Sequence, residues 1–109
     1  MTASPLVHQA AAWIRDRVMT SNLNPRCVAL FGSVVRSSWK PESDFDLLLI
    51  GDRIPRRPFE RGDLFGPIST EWRAHPLFKS LPRALSPLYL SEQGWLDSSG
   101  LRLSLSSEA

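Results

Sequence analysis

The sequence predicts one α/β (α+β) domain, on three observations. Helical and strand-like segments alternate along the chain. The two clearest strands are short apolar runs closed by turn residues, and 109 residues without linker or internal repeat make one domain, spanning 1–109. Apolar residues are 42% of the chain and charged residues 22%, ordinary globular values that exclude a disordered or fibrous protein. Folding at this length hides roughly two-thirds of the unfolded chain's surface, so a core can form without staples. A single cysteine excludes an internal disulfide framework, and with two dispersed histidines it leaves no zinc-type cluster. No apolar run approaches membrane-spanning length and the first residues lack the build of a secretory signal. A soluble cytoplasmic protein is therefore expected.

The first element reads as a helix. Ser4 suits an N-cap and Pro5 the first helical position, while Leu6, Val7, Ala10, Ala11, Ile14, Val18 and Met19 recur at helical spacing. Asn22, Asn24 and Pro25 end it. Cys27-Val28-Ala29-Leu30-Phe31 is a buried strand by its apolar run, and Cys27 is expected to be a buried strand cysteine with no redox role. Gly32-Ser33 breaks this strand, residues 33–38 allow a helical turn or two, and residues 39–43 read as loop. The second strand is Asp44-Phe45-Asp46-Leu47-Leu48-Leu49-Ile50, closed by Gly51-Asp52.

Six of the nine prolines lie beyond Gly51, so periodicity is weaker there. Arg53, Arg56, Arg57 and Arg61 fall in a Pro-punctuated stretch that reads as a mobile, solvated loop. Pro67 is expected to open a second helix running towards Lys79, with Ile68, Trp72 and Phe78 inward and Pro76 kinking or shortening it. Residues 85–90 are a third strand candidate, in which Pro87 marks an edge or bulged position. In the tail, Leu101, Leu103 and Leu105 alternate with polar residues, the pattern of one more strand. The four tryptophans read as core or interface residues, with Trp39 in the loop between the two best-defined strands.

Thirteen basic residues against eleven acidic give a formal charge of +2, too little to mark a nucleic-acid binder by electrostatics alone. Eleven of the thirteen are arginine, whose planar fork suits phosphate and carboxylate partners, although a GC-rich genome produces the same bias.

The chemistry is concentrated at Asp44 and Asp46. Alternate residues of a strand share a face, which puts the two Cα atoms about 6.5–7 Å apart at a rise of about 3.3 Å per residue. Two carboxylates at that spacing repel by roughly 2 kcal/mol at an effective dielectric near 20. The apolar run that follows them implies a strand buried on both faces, where such charges also resist desolvation. An arginine or a divalent cation between them relieves both costs, and hard oxygen ligands of this kind suit Mg²⁺. Upstream, Gly32-Ser33 offers free backbone N–H groups and a hydroxyl at the end of a strand, a natural cradle for phosphate. Arg36 is placed to cap the phosphates or to pair with a carboxylate.

Gly32-Ser33, ten intervening residues and then Asp44-x-Asp46 resembles the signature of the nucleotidyltransferase superfamily typified by DNA polymerase beta. The small size is similar to its minimal nucleotidyltransferase (MNT) branch. The resemblance implies a small mixed sheet flanked by helices. It also implies that Gly32, Ser33 and Arg36 bind the nucleotide's phosphates, and that Asp44 and Asp46 are the catalytic ligands of two Mg²⁺ ions. ATP is the implied substrate. Many minimal members are antitoxins encoded beside a HEPN-type toxin, some transferring AMP from ATP onto that toxin, so a HEPN-type partner is implied as well.

Two positions depart from the family pattern. Ser37 stands where a glycine often follows the motif arginine. Active members commonly carry a third carboxylate on a later strand, and here Ser86 falls at the corresponding place, with Asp63, Glu71 and Glu92 as other acids that could substitute. Three functions are therefore weighed. The first is a Mg²⁺-dependent transferase of AMP to a protein acceptor. The second is a catalytically weak module that neutralises its partner by contact. The third is a small nucleic-acid binder using the arginines of 53–61, which is not favoured. Self-association is left open.

Overall fold

The computed structural model describes residues 5–32, 34, 39–40 and 42–97. Its elements are helix α1 (Pro5–Met19), strands β1 (Cys27–Phe31) and β2 (Asp44–Ile50), helix α2 (Pro58–Ala74), a 3₁₀ turn (Pro76–Phe78), strand β3 (Ala84–Leu90) and helix α3 (Glu92–Asp97). Ser4 and the tail 98–109 lie outside the described residues, so the expected N-cap and fourth strand fall there.

Pro5 opens α1, and Val7, Ala10, Ile14 and Val18 form its buried stripe. The helix ends where Thr20 N and Oγ1 both turn back to Asp16 O, and where the Ser21 hydroxyl donates to Val18 O at 2.6 Å. Asn24 then adopts a φ of 51°, a left-handed conformation that asparagine tolerates better than most residues.

β1 pairs antiparallel with β2, Cys27 opposite Ile50 and Phe31 opposite Asp46. β3 pairs parallel with β2 on its other side, Asp44 beside Ala84 and Ile50 beside Leu90, so the sheet order is β1-β2-β3. A parallel neighbour requires a crossover, and α2 supplies it. Pro87 sits on an edge strand, as its missing N–H demands. The result is an α+β fold with a mixed sheet.

Alternation divides β2 between two faces. Phe45, Leu47 and Leu49 face α1 and α2 and join Val28, Ile14, Val18, Phe65, Ile68 and Trp72 in the core. Trp72 is its centre. Its ring stacks on Phe78 at 5.1 Å and meets Phe45 edge-on at 5.3 Å, and its Nε1–H donates to Pro82 O at 3.0 Å. Trp13 completes the cluster 5.8 Å away. Leu48 and Ile50 are buried on the opposite face, so β2 is apolar on both sides as its sequence implies.

Two expectations are corrected. The second helix starts at Pro58, not at Pro67, and ends at Ala74. Pro58 occupies its first turn, and Phe65, Ile68 and Trp72 make a narrow buried stripe. Pro67 is exposed in the helix interior, where it has no N–H to donate to Asp63 O. Gly62 and Gly66 blunt the helical signal further. Arg61 consequently belongs to a helix rather than to a mobile loop. Cys27 is exposed, not buried, because it begins β1 on the face away from α1 and α2.

Candidate active site at the strand ends

The C-terminal end of β1 and the N-terminal end of β2 meet in the antiparallel ladder, and both motif halves lie there. Gly32 follows β1 with φ of 81°. A Cβ placed on it would lie 2.3 Å from Asp46 Oδ2 and 3.2 Å from Asp46 Cγ. Only glycine satisfies the dihedral and the close approach together. The turn therefore rests on the carboxylate that the sequence singles out.

Asp44 and Asp46 share the face of β2 opposite α1 and α2; Asp44 is exposed and Asp46 half-buried. Asp44 is delivered by a tight turn. Ser43 N donates to Lys40 O, and Lys40 N donates to Ser43 Oγ, both at 2.9 Å. Ser43 belongs to the expected loop of residues 39–43, and its hydroxyl closes the turn from which Asp44 emerges. Val34 is fully buried and anchors the segment between the motif halves, and Trp39 packs against the core. Ser33 and Arg36 lie outside the described residues.

The parallel register sets Ser86 beside Asp46 and Ala84 beside Asp44. Register partners in parallel strands share a face, so β3 offers the carboxylate pair a hydroxyl and a methyl. The other acids are elsewhere. Glu71 pairs with Arg17 at 2.6 Å between α2 and α1, a surface bridge worth at most about 1 kcal/mol. Glu92 pairs with Arg26 at the opposite end of the sheet, and Asp63 is exposed on α2, across the sheet from the pair. Among the described residues no group of three or more His, Cys, Asp or Glu is placed to hold a metal.

Two carboxylates on one strand face, one of them against the Gly32 turn, are hard oxygen donors of the kind that suit a divalent ion. Such an ion takes one or two protein carboxylates and completes its shell with water and substrate phosphate. Among the described residues a second ion would have the same two acids to share. His75 has a structural role instead: its Nδ1 accepts from Leu77 N at 3.2 Å, and its ring packs on Phe78 at 4.5 Å.

An α+β domain with a glycine turn seated on an Asp-x-Asp strand has the layout of a phosphate- and metal-handling transferase. The family model described as a nucleotidyltransferase domain matches residues 12–82, and the chain belongs to that family. Comparison with curated proteins and with solved structures gave no significant match. The general chemistry is nucleotidyl transfer, and domains of this kind generally use a divalent metal and a nucleoside triphosphate. No described helix is long and apolar enough to cross a membrane.

Proposed function

We propose that this protein transfers AMP from ATP to a hydroxyl of a protein acceptor in a Mg²⁺-dependent reaction, and that the acceptor is a HEPN-type toxin it neutralises. The observation that carries the reading is the contact of the Gly32 turn with Asp46, which joins a phosphate cradle to a metal-binding carboxylate. The Gly32 turn would receive the triphosphate, and Asp44 and Asp46 would hold the metal. Bound there, Mg²⁺ would polarise the α-phosphate and neutralise the pyrophosphate leaving group. The overall exchange forms one bond from the acceptor oxygen to the α-phosphorus and breaks the bond to pyrophosphate, with the hydroxyl proton released. Asp46, half-buried beside Gly32, is the carboxylate best placed to orient the acceptor hydroxyl.

Incubation of the full chain with α-labelled ATP, Mg²⁺ and the folded partner tests this. The partner should gain the mass of AMP, and Asp46→Asn should abolish the gain. An unmodified partner with all four nucleotides overturns it.

Ser86 beside Asp46 favours a second reading, a contact-only module with weak catalysis. Neutralisation of the partner that persists in the Asp44→Asn, Asp46→Asn double variant would select it over the first.

A further inference from the structure

The arginines of 53–61 have no part in the candidate active site, yet the fold gives two of them a shared destination. A cavity of about 90 Å³ opens between α2, the end of β3 and the loop after β2, and Asp52, Arg56, Arg61, Tyr89 and Ser91 line it. The Arg61 guanidinium lies over the Tyr89 ring, 4.7 Å from its centroid. This cation–π contact holds the guanidinium over the ring without using any of its N–H donors. One of them, Nε, is buried with no acceptor among the described residues. Buried donors are nearly always paired, so this one marks a position where an acceptor belongs.

The charge in the cavity is also unbalanced. Arg56 and Arg61 bring two cations against the single carboxylate of Asp52, and Asp52 Oδ1 already accepts from Glu92 N at 3.0 Å. Burial raises the Tyr89 phenol above its ordinary value, against the pull of Arg61, so its hydroxyl remains a proton donor through the neutral range. We propose that this cavity binds a phosphate-type oxyanion, free phosphate or the phosphate of a nucleotide, between Arg56 and Arg61.

The site is separate from the carboxylate pair. Tyr89 packs against the core on the helix side of the sheet, whereas Asp46 occupies the other face. Along the strands, Tyr89 is three residues beyond Ser86, the partner of Asp46, which is about 10 Å at 3.3 Å per residue. The guanidinium forks supply paired donors of the geometry that oxyanions accept.

The test is a titration of the full-length protein with inorganic phosphate at constant ionic strength, followed through the Arg61 Nε–H resonance. A saturable shift is expected, absent when chloride replaces phosphate. Arg56→Ala removes an exposed side chain and should weaken binding about tenfold, the loss expected for one charge-assisted contact. Arg61→Lys, which lacks that resonance and is followed by calorimetry instead, should lose saturable phosphate binding while its melting shows that it stays folded. The Asp44→Asn, Asp46→Asn variant should bind phosphate unchanged, which separates this site from the candidate active site. A parallel titration with AMP distinguishes the sources: tighter binding than phosphate assigns the site to a nucleotide phosphate, and equal binding to the free ion. An Arg61 resonance that does not saturate with either ligand, or equal affinity in Arg56→Ala, overturns the proposal.

Discussion

Gly32 and Asp46 touch across the end of the β1–β2 ladder, so closely that a methyl on Gly32 would fall 2.3 Å from Asp46 Oδ2. Their separation in sequence is fourteen residues, and the antiparallel register that sets Phe31 opposite Asp46 closes it. Glycine is thus required twice at one position, by its φ of 81° and by the carboxylate beside it.

Gly32→Ala is expected to destabilise the fold by about 1–3 kcal/mol, the usual cost of a strained left-handed residue, before any effect on nucleotide binding. In an Asp46→Ala background the steric part should vanish, leaving a coupling of about 0.5–3 kcal/mol in a double-mutant cycle measured by urea unfolding. Equal costs in the two backgrounds would show that the pair is not in contact.

Asp44→Asn and Asp46→Asn should each lower transfer on the order of 10²-fold or more, because each removes a negative ligand that would hold the cation against the phosphates. Without metal the same variants should be as stable as the parent or slightly more so, since two like charges no longer face each other. Thermal melting with and without Mg²⁺ separates the effects: the parent should be stabilised by the ion and the variants should not.

Ser86→Asp restores a third acid beside Asp46 in the parallel register. It should tighten Mn²⁺ binding by about tenfold or more, since ligand charge count governs affinity at such sites. Calorimetry reads this directly, and unchanged affinity would mean that β3 does not face the ion.

Asp52 lies at the opposite end of the sheet, and its surroundings favour the ionised carboxylate. Glu92 N–H bonds to its carboxylate and, with Arg56 and Arg26 nearby, holds it below the ordinary value of 3.8. A depressed carboxylate contributes stability at pH above its unfolded value and loses it as pH falls through the folded one. Asp52→Asn should therefore be less stable than the parent at neutral pH, and the difference should shrink below about pH 4. Melting temperatures across pH 2–7 check the sign.

Trp72→Phe should cost about 2–3 kcal/mol, from the lost ring volume and from Pro82 O left without its donor. Urea unfolding measures it. A loss below about half a kcal/mol, the range of surface changes, would remove Trp72 from the centre of the core.

Local sequence was enough for α1, β1 and β2, because each couples a strong period to clear stops: Pro5 and Asn24 around the helix, Gly32 and Gly51 after the strands. It also sufficed to put Asp44 and Asp46 on one face, since strand alternation is a backbone property. It failed at α2, where Gly62, Gly66 and Pro67 oppose a helix that tertiary burial of Phe65, Ile68 and Trp72 nevertheless stabilises. Only the folded chain decided that Cys27 is exposed, that Gly32 rests on Asp46 and that Arg61 lies over Tyr89, whereas the place of Ser86 beside the carboxylates agrees with the motif comparison. Each of these follows from strand register or from helix crossover. Those are contacts between segments distant in sequence, and no local pattern of residues encodes them.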